Sequence, residues 1–196
     1  GTKGWEKRSI IEPQSESVVR GPREGFIESF RTNCTLIRRK IKSDKLKVEE
    51  IVVGRKTKTD VALMYLEGVV DPTVLRKVRY RIGQLDVDSI LESGYIEQYI
   101  EDAPLSPFAT IGYTEKPDVA AGKILEGRIA IIVDGTPFVL TVPYMFIECF
   151  QTAEDYYTRS LYASLIRLFR IFGYFVSVFG PAVYISLTTF HQELIP

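Results

Sequence analysis

The most distinctive short string in the chain is VVRGPREGF at residues 18–26, where Arg20 and Arg23 flank Gly-Pro and Glu24 follows at once. Two guanidinium groups beside the start of a helix can hold a phosphate or a carboxylate, because both the amide ends and the forked donors favour an anion. The same arrangement also serves as a rigid turn whose arginines meet acids of their own domain, and that structural reading is the commoner one. A second grouping lies at TAEDYY, residues 152–157: Thr152 has the type of a helix cap, Glu154 and Asp155 fall in the first turn, and Asp155-Tyr156 marks the entry to the last helix. Arg20, Arg23, Glu24, Asp155 and Tyr156 are therefore the candidate interaction and coupling residues.

Other chemistry is poorly supported. GRKTKTD at residues 54–60 lacks the spacing of a phosphate loop. Asp134-Gly135 is better explained as a hairpin turn than as a catalytic aspartate. His191 is the single histidine, and Cys34 and Cys149 are far apart with no CxxC, so no metal site, catalytic triad or disulfide framework is indicated. Glu115, Asp118, Glu154 and Asp155 have no spacing that makes an acid–base pair. The expectation is a protein without catalytic residues, cofactor or metal.

The elements that must position these residues include one of unusual character. From Ile171 to Phe190 twenty residues pass without a formal charge. At about 1.5 Å per residue, such a helix matches the roughly 30 Å hydrocarbon core of a bilayer. A core helix of that length would carry a polar face. Tyr156, Tyr157 and Tyr162 precede the run and Tyr174 and Tyr184 lie inside it, as at membrane interfaces. Pro181 removes a backbone donor and predicts a kink near mid-depth. Arg159, Arg167 and Arg170 precede the span and only Glu193 follows it, which places the preceding domain in the cytoplasm.

The apolar spacing of 26, 30, 34, 37 and 41 predicts a helix over residues 25–42. Residues 47–53 and 60–66 read as strands. Asp71-Pro72 starts a helix with Val74, Leu75, Val78, Ile82 and Leu85 on one face, and another helix is expected from about Ser89 to Ile100. EDAPLSPF, 101–108, is a loop by its prolines. Pro117-Asp118 starts a short helix, and residues 128–142 form a hairpin buried on both faces, turning at Asp134-Gly135 in a type I′ turn. Residues 144–150 are expected to be helical. The fold class is an α+β (mixed α/β) soluble domain with a buried β-hairpin, followed by a transmembrane helix: a connector over residues 1–22, a cytoplasmic α/β domain over 23–158, and the membrane helix with its flanks over 159–196.

Equal numbers of basic and acidic residues, 25 each, conceal a gradient. Residues 1–60 carry a net +6 and residues 61–160 a net −7. The basic part would suit a polyanion or anionic lipid headgroups, but ordinary solvated faces explain it better, and no nucleic-acid partner is expected. A start of GTKGWEKRS and an end six residues after the apolar run read as a segment cut from a longer chain.

Taken in order, VVRGPREGFIESFRTNCTLIRRKIK, LDVDSILESGYIEQYIEDAPLSPF, TEKPDVAAGKILEGRIAIIVDGTPFVLTVP, EDYY and the span ending TTFHQELIP resemble the A subunit of GerA-type spore germinant receptors over about residues 4–196. The resemblance implies a cytoplasmic N-terminal domain followed by several membrane helices, located in the inner spore membrane. It implies work with an integral-membrane B subunit and a lipoprotein C subunit, homo-oligomerisation, and a part in nutrient-triggered ion release and germination. It also implies a further N-terminal portion of the soluble domain, and an arginine where this chain has Lys116, which cannot make the same bidentate contact. The alternatives are a membrane-tethered domain that binds or acts on a small anion near Arg20 and Arg23, and a soluble binding module whose last helix packs in a core.

Overall fold

The computed structural model describes residues 22–90, 92–101, 109–152, 155 and 160–190. The chain divides into two compact units between Phe146 and Ile147. Arg20, Tyr156, the loop 102–108 and all but the last residue of the expected connector lie outside the described residues.

The first unit is built on one antiparallel sheet. Its strands are β1 (Leu46–Val53), β2 (Thr59–Leu66), β3 (Gly112–Thr114), β4 (Ile129–Val133) and β5 (Val139–Val142), in the order β1-β2-β4-β5-β3. The expected hairpin is at the centre, with Ile131 opposite Leu140 and every residue of β4 and β5 buried. Alternation along the strands divides the core in two. Val61, Leu63, Ile129, Ile131 and Leu140 face α2 (Pro72–Gly83) and α3 (Ser93–Ile100). Ala62, Met64, Ala130, Ile132 and Val139 face α1 (Phe30–Lys40) and α4 (Pro117–Leu125). Helices on both faces explain why the central strands read as continuous apolar runs rather than alternating ones.

The sequence signals for α2 and α4 hold closely. Asp71 accepts a hydrogen bond from the Thr73 amide at 2.7 Å, Pro72 takes the first turn, and Leu75, Val78 and Ile82 are buried on the predicted face. Pro117 opens α4 in the same way.

Four local expectations need correction. The first helix begins at Phe30 rather than near residue 25. Its would-be first turn is drawn into other bonds: the Phe26 amide donates to the Glu115 carbonyl at 2.8 Å, and buried Asn33 clasps the backbone of Ile27 at both its amide and its carbonyl. The β4–β5 connection is not a two-residue type I′ turn, which needs positive φ at both central residues. Only Gly135 has it, at +87°, and five residues separate the strands. Asp134 instead turns its carboxylate to the Phe30 amide at 3.2 Å, capping α1 from across the fold. The helix expected from Ser89 starts at Ser93, because Asp88 and Ile90 bond the β1–β2 turn through the Lys56 amide at 2.9 Å and the Thr59 hydroxyl at 2.7 Å. Residues 146–150 form a 3-10 turn rather than an α-helix. β3 gave no signal: a three-residue strand is too short for periodicity, and only its pairing with β5 makes it one.

Lys116, just before α4, is fully buried, and its Nζ donates to the Pro22 carbonyl at 3.2 Å. The lysine thus takes a neutral carbonyl as acceptor, which one amine satisfies without a fork of donors. At the β1–β2–α2 surface Arg79 pairs with Glu49, which also accepts from the Tyr65 hydroxyl, and the Arg79 hydrogen bond holds the Glu49 carboxyl below its ordinary range.

Gly127 has φ +94°, and a Cβ there would lie 2.8 Å from the Val69 carbonyl oxygen. Both the left-handed backbone and that close approach exclude a side chain. Gly127→Ala is expected to lower the unfolding free energy by about 1–3 kcal/mol, measured by chemical denaturation of the solubilised chain; an unchanged midpoint would contradict this packing.

The second unit contains α5 (Ser160–Phe190), which runs through Pro181. Its stretch Leu161–Thr189 is long and apolar enough to cross a membrane, and no residue of its most apolar window is buried.

Candidate coupling site

Asp155 anchors a compact polar cluster at the start of the second unit. Thr152 and Asp155 are three residues apart, the spacing at which a hydroxyl residue and an acid close on each other around a turn. The Asp155 amide donates to the Thr152 carbonyl at 3.0 Å, the Thr152 hydroxyl donates to Asp155 Oδ1 at 3.1 Å, and the Thr152 amide donates to Oδ2 at 3.3 Å. The carboxylate is thereby aimed at α5. Arg167 and Arg170 stand three positions apart there, which puts both on one helix face.

Arg170 Nη1 donates to both carboxylate oxygens, at 3.3 and 3.2 Å, and to the Phe150 carbonyl at 3.0 Å, while Nη2 reaches the Thr152 hydroxyl at 3.2 Å. Arg167 Nη2 lies 3.6 Å from Asp155 Oδ2. The Asp155 side chain is only 5 % exposed. The Phe150 ring meets Tyr174 edge-on at 5.6 Å, adding an apolar contact one turn further along α5. One carboxylate, two guanidinium groups and a hydroxyl thus tie Phe150, Thr152 and Asp155 onto the helix. Charge-assisted bonds of this kind are about twice as strong as neutral ones and are specific in geometry. The cluster has the makings of a mechanical latch.

The other sequence candidates fall elsewhere. Glu24 lies 3.5 Å from Arg39 and 3.9 Å from Lys40 at the basic end of α1, and Lys40 pairs in turn with Asp118 on α4. Glu24 is thus met by cations of its own domain. Arg23 is exposed. Among the described residues no group of three or more His, Cys, Asp or Glu side chains could hold a metal ion. Sequence reasoning used Arg167 and Arg170 only as markers of orientation; their spacing from each other, together with the Thr152–Asp155 turn, was the signal that they share one partner.

The model of the Bacillus/Clostridium GerA spore germination protein family matches residues 1–196. The chain belongs to the GerA family. It is 54 % identical over 195 residues to spore germination protein KA of Bacillus subtilis, covering 100 % of this chain and 36 % of that protein. It is 41 % identical over 196 residues to spore germination protein A1 of the same organism, covering 41 % of it. The GerA segment therefore spans well under half the length of these curated relatives. Among solved structures it is similar to the N-terminal domain of the A subunit of the Bacillus megaterium spore germinant receptor GerK3, with 52 % identity, a TM-score of 0.51, and coverage of 65 % of this chain and 50 % of that one.

Proposed function

We propose that this chain is the cytoplasmic assembly and coupling part, with the first membrane span, of the A subunit of a nutrient germinant receptor that takes part in triggering spore germination. The observation that carries the reading is the Asp155 latch, which ties Thr152 and Asp155 to a helix of membrane-spanning length. In this account the protein is not an enzyme. It resides in the inner spore membrane with B and C subunits, the subunits form a homo-oligomer, and the membrane part belongs to an ion-channel-type path. The soluble domain passes strain or rotation through the latch to the span, where Pro181 supplies the bend. The names of the relatives and the match along the whole chain support the germination role; the charge pattern before the span supports the cytoplasmic side.

The two cysteines provide a test of sidedness. Cys149 is exposed, whereas Cys34 is buried in α1 with its thiol pushed up to about 11, by burial first and by the charge of Glu50 second. The thiolate is the reactive form, so Cys34 stays inert near neutral pH. In intact cells producing the full-length protein with these as its only cysteines, a membrane-impermeant maleimide is expected to leave both unlabelled. Permeabilisation should expose Cys149 alone. Labelling of Cys149 in intact cells would overturn the cytoplasmic assignment.

A further inference from the structure

The outward face of α1 carries a stripe of cations. Arg31 and Arg38 stand two turns apart and Lys42 follows just beyond the helix; all three are exposed, while Phe30, Cys34, Ile37 and Ile41 on the inward face are buried. None of the three forms an ion pair among the described residues, in contrast to Arg39 and Lys40, which meet Glu24 and Asp118. Residues 31–45 hold six basic residues against one acid, Asp44. Residues 1–21 hold four basic residues against three acids, so the stretch leading into the domain brings no net negative charge to offset them. The helix dipole favours cations in the last turn, which accounts for Arg38, Arg39 and Lys40. Arg31 sits in the first turn, where the same dipole disfavours a cation, and α1 has no acid there. Helix stability therefore does not explain the whole stripe.

From Arg31 to Lys42 the cations extend over about 16 Å of the surface. Charges strung along a line match a plane of negative charge better than one small anion. The same chain carries Leu161–Thr189, long and apolar enough to cross a membrane, so a bilayer surface stays near the domain at high effective concentration. The cytoplasmic leaflet of a membrane is negatively charged. We propose that the Arg31, Arg38 and Lys42 face of α1 docks the domain on the anionic lipid headgroups of the bilayer that holds its span. Each cation near such a surface shifts the docking equilibrium by about fivefold, so the three together amount to about a hundredfold. Because α2 and α3 cover the opposite face of the sheet, docking by α1 turns them away from the headgroups. The proposal deepens the cytoplasmic reading and rests on it for its place in the cell; it does not rest on the latch.

The test places the whole chain in lipid nanodiscs and measures energy transfer to a headgroup fluorophore. The donor is attached through Thr35→Cys, in the middle of the α1 stripe, or through Tyr80→Cys, exposed on α2, in a Cys149→Ser background with the buried Cys34 kept. In discs of phosphatidylcholine and phosphatidylglycerol at about 7:3, in about 0.1 M salt, transfer is expected to be greater from position 35 than from position 80. Discs of phosphatidylcholine alone, or about 0.5 M salt, should abolish that excess, because screening confines the attraction to a few ångströms. The triple variant Arg31→Gln, Arg38→Gln, Lys42→Gln should abolish it too, while Arg76→Gln, exposed on α2, should leave it unchanged. An unaltered circular dichroism spectrum and denaturation midpoint show that each variant is folded. Equal transfer from the two positions in the anionic discs, greater transfer from position 80, an excess that persists in phosphatidylcholine alone, or an unaltered excess in the folded triple variant would each overturn the proposal. Anionic lipid covers both faces of the disc, so docking can fail while the sidedness read from Cys149 labelling stands, and the reverse.

Discussion

Spores whose full-length protein carries Asp155→Asn are expected to germinate in saturating nutrient about tenfold or more slowly than the parent, with the protein present in the membrane at its normal amount. Asparagine keeps the shape and one acceptor but removes the charge. The Asp155 carboxylate receives Arg170 at 3.2 Å and lies 3.6 Å from Arg167, in a setting where its side chain is 5 % exposed. Hydrogen bonds to charged groups stabilise by about 1.5–3 kcal/mol, and every 1.4 kcal/mol is roughly tenfold in an equilibrium. Losing the charge therefore loosens Asp155 from the arginines of α5 by about that factor. A signal that must pass through this connection is weakened in proportion, because a two-state element responds only as far as its states differ in free energy. Asp155→Glu keeps the charge one methylene further out and should retain part of the response. A germination rate equal to the parent's in Asp155→Asn would remove the latch from the mechanism.

The second large effect is expected at Lys116, and it concerns stability. Its side chain is fully buried and its Nζ donates to the Pro22 carbonyl at 3.2 Å. That bond, together with the Phe26 amide bond to the Glu115 carbonyl, fixes the segment leading into α1 against the start of α4. Lys116→Met fills nearly the same volume but leaves the carbonyl without its donor. The unfolding free energy is expected to fall by about 1–2 kcal/mol, the low end for loss of a charged hydrogen bond, because Pro22 is exposed and water can replace the lost donor. Lys116→Arg restores a donor and should recover most of the loss. Denaturant titration of both variants reads the difference; equal stability of Lys116→Met and the parent would mean that the buried amine contributes nothing to holding this segment.

Much of the scaffold was legible from the residues. The Asp71-Pro72 and Pro117 starts are local signals, and local chemistry decides them. The buried hairpin was legible because only a strand covered on both faces tolerates IAIIV and VLTV without polar alternation. What stayed hidden was set by distant partners. Asn33 looks like an ordinary polar position of a helix, and its grip on Ile27 exists only because the segment before α1 is already held by Glu115. Asp134 reads as a turn residue, yet its carboxylate serves a helix 104 positions away. β3 becomes a strand only through β5. At the candidate site, Asp155 was visible through its capping-box spacing from Thr152. Its joint pairing with Arg167 and Arg170 required the helix to bring a later turn back to it.

The central claim is that Asp155 and the arginines of α5 act as one unit in coupling the soluble domain to the span. A double-mutant cycle on germination rate tests it most directly, with Asp155→Asn, Arg170→Gln and the pair in one protein, each at matched membrane abundance. Residues that share one interaction give strongly non-additive effects, whereas independent sites add to within about 0.5 kcal/mol. The account predicts that each single variant slows germination and that the double variant is no slower than the worse of the two. Two single losses that multiply in the double variant would show that Asp155 and Arg170 act separately, and would contradict the latch.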